Sequence, residues 1–327
     1  MPDLPTVQDS PNDALTRLCA PAAAPRAPAL SIVVCTYNRC EKLPQALEAI
    51  GQACRDHHGE VELVVVDNNS SDGTETVIED FSRSCALTVC YVREARQGLS
   101  FARNRGVGEA RGRIVAFTDD DCIVARDWVA VILREMGDRR DVGLIGGRVD
   151  LHDPDDRPVS IRPLDRRVRY REIGHVLTLI MGCNFAFRRE LVDRIGLFDP
   201  AFGCTNGVTG DDIDFIYRAV RQGVGVEFVP DMAARHDHGR RRDDEIDRLN
   251  AGYVRGRGAF YAKFALRGDS AVLRVACREV AAEFRLIVRR LWAGETIGAN
   301  LLFLLRLLSG ALRLARSRIE RVTDGRR

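Results

Sequence analysis

Arg113-Ile114-Val115-Ala116-Phe117-Thr118-Asp119-Asp120-Asp121 is an apolar, β-branched run that ends in adjacent carboxylates. Like charges side by side repel, so a fold that orders them without a cation loses stability, and a bound divalent metal is the economical remedy. Along an extended chain alternate side chains share a face, which lets Asp119 and Asp121 converge on one ion while Asp120 points elsewhere. A solvated acidic turn would use the same residues. The pattern recurs, however: Val61-Glu62-Leu63-Val64-Val65-Val66 also stops at a carboxylate, Asp67, followed by Asn68-Asn69-Ser70-Ser71-Asp72-Gly73.

Working outward, Leu30-Ser31-Ile32-Val33-Val34-Cys35 reads as a strand buried on both faces and leads into Thr36-Tyr37-Asn38-Arg39. Leu43, Leu47, Ile50 and Cys54 follow at helical spacing, and a second helix carries Val77, Ile78 and Phe81. A short strand near Leu87 to Val92 and a helix around Gly98 to Gly106 precede the acidic strand. Strands alternating with helices of this length imply parallel βαβ units, an α/β fold covered on both faces. Ligands in such sheets sit beyond the carboxyl ends of the strands, so Thr36 to Arg39, Asp67 and Asp119 to Asp121 are expected along one edge.

Beyond the triplet, Val129, Ile132, Leu133 and Met136 mark a helix, Arg139 to Arg171 reads as a loop-rich, Arg-rich stretch, and Met181 to Phe187 as a strand. Arg188 to Ile195 should be a helix stopped by Gly196. Gly210-Asp211-Asp212-Ile213-Asp214 opens another helix, where the acids serve either as caps or as chemistry. Strands at Val224 to Val229 and Met232 to Arg235 end in His236-Asp237-His238, with both imidazoles on one side.

The chain has 327 residues, 45% hydrophobic and 29% charged, enough to bury a large core. A net charge of +2 gives no whole-molecule field for nucleic acid, and none is expected as a partner. The ten cysteines are scattered, with no Cys-x-x-Cys pair, and read as reduced thiols. Six of the 12 prolines lie in residues 1–29, a composition that suits a flexible tail. No basic start precedes an apolar stretch, so a cytoplasmic protein is expected, at most at the inner face of the cytoplasmic membrane.

Five ordered motifs resemble the family 2 nucleotide-sugar glycosyltransferases: Ser31 to Arg39, Val64 to Thr74, Ala102-Arg103-Asn104-Arg105-Gly106, Phe117 to Asp121, and Gly210 to Asp214. Cys35 stands where the family often has Pro, and Asp211 where it often has Glu. The resemblance implies a GT-A fold over residues 30–240, a Rossmann-like, mostly parallel sheet flanked by helices. Its nucleotide half would span about 30–121 and its acceptor half about 122–240, with residues 241–327 as a C-terminal helical extension. It also implies an inverting transfer from a nucleoside diphosphate sugar, expected to be UDP-linked, to a glycan or lipid-linked hydroxyl acceptor in bacterial cell-envelope polysaccharide assembly. By resemblance, Thr36, Arg39 and Asp67 hold the nucleoside, Asp67 accepting from the base, and Asp119 faces the ribose or donor sugar. Asn38, Asn69, Arg103, Asn104, Asp120 and Asp211 complete the expected substrate contacts. Asp121 and His236 would bind Mg or Mn, with His238 as a substitute ligand, and Asp212 matches the base, with Asp211 and Asp214 supporting it. Oxygen ligands and phosphate select hard cations of this kind.

Ile297 to Leu312 is the most apolar run in the chain, yet a spanning helix needs roughly 20 mostly apolar residues and Arg306 lies near its middle. It is read either as a helix packed on the domain or on a second subunit of a homodimer, or as an interfacial helix with flanking arginines at lipid head groups. Two rival readings of the acidic motifs remain at this point. A metal-dependent phosphohydrolase also places Asp-x-Asp at a strand end, although Ile123 stands where Thr is usual. A silent nucleotide-sugar binding protein would keep the same residues without turnover.

Overall fold

A computed structural model describes residues 27–57, 59–137, 139–170, 180–203 and 207–324. The tail expected over residues 1–29 lies outside the described residues up to position 26. The first half runs β1 (Leu30–Thr36), α1 (Leu43–Ala53), β2 (Val61–Asp67), α2 (Thr74–Ser84), β3 (Thr88–Arg93), α3 (Leu99–Glu109) and β4 (Ile114–Asp119). These strands are parallel neighbours in the order β3-β2-β1-β4. Continuous Val and Ile runs suit strands covered on both faces, and Ile32, Val33, Val64, Val65 and Val115 are fully buried. The order reverses direction beside β1, so the connections that leave β1 and β4 part at the strands' carboxyl ends and a crevice opens there.

The second half adds β5 (Cys122–Val124), α4 (Trp128–Met136), β6 (Leu144–Leu151), β7 (Val168–Arg169), β8 (Asn184–Arg188), α5 (Leu191–Ile195), α6 (Asp211–Arg221) and β9 (Val226–His236). The sheet continues from β4 through β8, β6 and β9 to β5, with β7 on β9; β8 is antiparallel to both its neighbours. Asn184 pins this half: it accepts from Trp128 Nε1 at 2.9 Å and donates to the carbonyls of Arg148 and Met232, each at 2.9 Å. Fully buried polar groups need such complete pairing.

Two expectations are corrected. The stretch read as loop-rich contains β6, an interior strand whose apolar run is interrupted by Gly146, Gly147 and Arg148. The two strands expected between Val224 and Arg235 are one strand, β9, whose pairing with β6 shifts between Gly147 and Arg148. The shift absorbs Pro230, which cannot donate to a ladder.

Three helices complete the chain: α7 (Asp243–Ala265), α8 (Ser270–Trp292) and α9 (Gly298–Asp324). Far from standing apart, α7 is bolted to the sheet domain. Lys263, 2% exposed and one of only two lysines in an arginine-rich chain, lies 2.8 Å from Asp199 and 2.5 Å from Asp214, which is itself 0% exposed. A compact ammonium fits between two carboxylates where a guanidinium fork would not. Asp214, expected to support the site or cap α6, is used for this bolt and for Arg218 at 2.9 Å. On its other side α7 meets α9 backbone to backbone. A Cβ added at Gly258 would lie 2.0 Å from the Leu307 carbonyl oxygen, and one at Gly310 would lie 1.8 Å from that of Arg255.

Lys263→Ala leaves a buried carboxylate with Arg218 alone, and should destabilise the chain by about 3 kcal/mol in urea unfolding, whereas a loss below about 1 kcal/mol would show the bolt to be idle.

Candidate active site

A cleft of about 880 Å³ opens at the carboxyl ends of β1 and β4. Cys35, Thr36, Arg39, Asn68, Asp119 to Asp121, Gly182, Cys183, Asp211, Asp212 and His236 line it. Leu249, Tyr253, Arg257 and Phe260 of α7 also line it. The helical extension is thus part of the cavity wall, which the sequence did not suggest.

The floor is organised around Arg103, 3% exposed, from α3. Its Nη1 donates to Asp211 Oδ2 at 2.8 Å and its Nη2 to the Gly182 carbonyl at 3.0 Å. The guanidinium sits 5.7 to 5.9 Å from the ring centres of Phe117, Phe185 and Phe198. Burial works to discharge it, but Asp211, Asp119 and Asp212 hold its pKa above the usual arginine value. Asp212 stands beside this pair at the first turn of α6, its Oδ1 accepting from the Ile213 backbone N–H at 2.8 Å. Burial first, then the neighbouring Asp211 charge, push the Asp212 carboxyl up to about 6 against the pull of Arg103.

Elsewhere in the cleft Asp121, 6% exposed, meets His236 Nε2 at 3.2 Å and Arg39 Nη1 at 3.6 Å. Burial alone would raise Asp121, yet the His236 hydrogen bond and charge, with Arg39, bring it below the ordinary aspartate value. The same contact overcomes burial at His236 and takes its pKa up to about 10. His236 Nδ1 lies 2.9 Å from the Ser160 carbonyl, which fixes the ring with Nε2 toward Asp121. A carboxylate that recruits a protonated imidazole from its own chain is one that a cation would suit, and the donor set of carboxylate and imidazole fits Mg or Mn. Burial, then Asp121, raise Asp120 to about 7; burial, then Asp121 against Arg103, raise Asp119 as well.

Several expected contacts fall elsewhere. Asp67, 1% exposed, does not line the cleft: it accepts from the Ser70 backbone N–H at 2.7 Å and from the Tyr91 hydroxyl at 3.1 Å. Its carboxylate holds a turn, and Asn68 beside it reaches the cavity instead. Asn38 and Asn69 serve the same turn, Asn38 accepting from the Ser71 backbone at 2.8 Å and Asn69 from Arg93 at 3.0 Å. Asn104 clamps the Phe198 backbone through both its amide atoms, at 2.8 and 2.9 Å. His238 accepts from the Arg240 backbone N–H and lies 3.5 Å from Asp156, away from the cleft lining. Thr36, Arg39, Arg103, Asp119, Asp120, Asp121, Asp211, Asp212 and His236 share the one cavity.

Sequence reasoning passed over Gly182, a position where an added methyl would press on two side chains of the floor. A Cβ there would lie 2.7 Å from both Arg103 Nη2 and Asp212 Oδ2. Gly182→Ala should therefore cost about 1–3 kcal/mol of stability and displace Asp212. Carbon-detected NMR titration of the Asp212 carboxyl, alongside urea unfolding, reads both; an unchanged pair of values would mean the loop has slack.

A family model described as Glycosyl transferase family 2 matches residues 31–196, and one described as Glycosyl transferase family group 2 matches residues 114–317. Glycosyltransferase AglE of Haloferax volcanii is 25% identical over 210 residues, 64% of this chain and 67% of AglE. A PGL/p-HBAD biosynthesis glycosyltransferase of Mycobacterium tuberculosis is 30% identical over 175 residues, 53% of this chain and 64% of that protein. The match thus spans about two thirds of these relatives' length or slightly less. Among solved structures, the mannosyltransferase PcManGT from Pyrobaculum calidifontis, in complex with GDP-Man and Mn2+, gives a TM-score of 0.57 at 22% identity, over 91% of this chain and 88% of that one. Residues 1-349 of S. aureus TarS give 0.52 at 18% identity, over 69% and 65%. These structural likenesses carry the fold, and the family matches carry the kinship: the chain has the GT-A fold and belongs to glycosyl transferase family 2.

Proposed function

We propose that the protein transfers a glycosyl group from a nucleoside diphosphate sugar to a hydroxyl acceptor with inversion, using Asp212 as base and a divalent cation, Mg or Mn, held by Asp121 and His236. The observation that carries this reading is that Asp212 and the Asp121–His236 pair open onto the same cleft. When bound, the cation acts as a Lewis acid toward the leaving diphosphate. His236 is prepared for it, because its Nδ1–H donates a hydrogen bond to the Ser160 carbonyl and leaves Nε2 toward Asp121.

A base for a sugar hydroxyl has to be ionised at neutral pH yet attract a proton strongly. Asp212, raised to about 6, meets both demands. Arg103 keeps the adjacent Asp211 in place, so that the two acids at the start of α6 are divided between one structural and one chemical task. The nucleoside is assigned to the Thr36 and Asn68 end of the cleft. UDP- and GDP-linked sugars are the donors to try, since solved neighbours hold UDP-GlcNAc and GDP-Man. Tyr253, 38% exposed, offers a flat apolar face of the kind on which a glycan acceptor packs.

The same reading extends to the acceptor's setting, a lipid surface at the cytoplasmic face of a membrane. The helix Gly298–Ser317 is apolar and long enough to cross a bilayer by composition, but its Leu307, Gly310 and Leu314 side is packed inward, with Gly310 against α7. Its outer face leaves Leu301, Leu305, Leu308 and Leu312 exposed, and Phe284, Leu291 and Trp292 of α8 are exposed too. Between Ser270 and Ser317 there are eight arginines and three glutamates. Two copies of so positive a face repel, whereas an anionic bilayer attracts it, at about 1 kcal/mol for each basic residue at the surface.

Asp212→Asn should lower transfer by about 100- to 10,000-fold while donor binding measured by calorimetry is retained, and the parent's rate should fall as pH drops below about 6, where the base is protonated. Undiminished transfer by this variant, or a rate flat through that range, would remove Asp212 from the role. Flotation with vesicles containing anionic lipid should carry the protein up at low salt, and less so with Leu305→Glu and Leu308→Glu combined; equal flotation of parent and variant would discard the lipid surface.

A further inference from the structure

Behind the pair of Asp121 and His236 lie two thiols that the proposed chemistry does not use. Cys122 opens β5, Cys183 immediately precedes β8, and His236 closes β9. All three are buried, and one donor atom from each lies within 4.8 Å of the others. Cys122 and His236 are direct cross-strand partners in the β5–β9 ladder, so sheet register fixes their approach. Asp121 Oδ1 adds a fourth donor, 4.0 Å from Cys122 Sγ and 3.2 Å from His236 Nε2.

We propose that Cys122, Cys183 and His236, with Asp121, form a binding site for a thiophilic divalent cation of the zinc type, which competes for the imidazole that a hard cation would use. Zinc bonds of about 2.3 Å to sulfur and 2.0–2.1 Å to nitrogen place tetrahedral ligand atoms about 3.3–3.8 Å apart. The Cys122, Cys183 and His236 donors, within 4.8 Å of one another, would draw in to that spacing by side-chain rotation, with Asp121 swinging in as the fourth. Paired thiolates select zinc or cadmium over Mg and Mn, which favour oxygen. The thiols also belong to a small apolar group with Val149 and Met181. Packing alone would be served there by alanine or valine, and would not call for an imidazole and a carboxylate beside the sulfurs. Entry is open, because Cys183 and His236 both line the cleft. On binding, a proton leaves each thiol and the imidazolium for solvent, and the metal gains two thiolates, an imidazole nitrogen and a carboxylate oxygen.

The competition rests on the hard-cation part of the proposed function, while the thiol site does not. Cobalt(II) added to the full chain should give a thiolate-to-cobalt charge-transfer band in the near ultraviolet. Zinc, titrated against a colorimetric chelator, should bind at one per chain. Cys122→Ala and Cys183→Ala should each weaken zinc binding by more than about tenfold and diminish the band, while Cys277→Ala on the exposed face of α8 changes neither. Cobalt bound without the band, or a band that survives both substitutions together in a chain with an unaltered melting temperature, would overturn the site. Zinc added to manganese-loaded protein should release manganese, read as the free-ion EPR signal; zinc bound with manganese retained would overturn the sharing of His236. A band from a chain that binds no manganese would support the thiol site and count against the hard-cation reading alone.

Discussion

The α6 side of the site depends on one buried cation, the Arg103 guanidinium, which acts on Asp211, Asp119 and Asp212. Asp119, Asp120, Asp121, Asp211 and Asp212 all line one cleft, an arrangement that would drive several of them neutral if nothing opposed their mutual repulsion. Arg103 opposes it from below, held by Asp211 and the Gly182 carbonyl and backed by the rings of Phe117, Phe185 and Phe198. The rings also exclude water, so the charge is felt strongly at Asp212. The two charge clusters of the cleft therefore differ in character. Near α6 the positive charge is permanent and structural, and the neighbouring acid is free to titrate. Near β4 it comes from a histidine, whose proton a metal can replace.

Much of this was legible in the chain because parallel strands announce themselves as unbroken β-branched runs, and because their ends gather whatever polar residues follow. The acidic triplet after Phe117, the Thr36 to Arg39 turn and the acids after Gly210 all reach the cleft for that reason. What stayed hidden depends on three-dimensional detail. Asp67 ends its strand as expected, but Tyr91 and the Ser70 amide claim its carboxylate from neighbouring elements, which no linear pattern reveals. Asn104 sits in a motif and yet spends its amide on the Phe198 backbone. The strand at Leu144 was masked by adjacent glycines and an arginine. Family membership excludes the phosphohydrolase reading that the Asp-x-Asp spacing had left open.

The least legible part was the C-terminal third. Its Arg and Leu periodicity gave helices but could not say what they touch. Lys263 answers that, since a buried ammonium between Asp199 and Asp214 has no role except to join α7 to the rest. From α7 the connection passes to α9 through glycine contacts too close for side chains.

This arrangement bears on how short the chain can be made. A fragment cut where the family motifs end, near residue 240, would keep every acid of the cleft but lose Tyr253, Arg257 and Phe260 from its side, and would strand Asp214 without its lysine. The smallest working piece of this enzyme is set by the wall that closes its cavity, and that wall is made from the segment with the weakest motif signature.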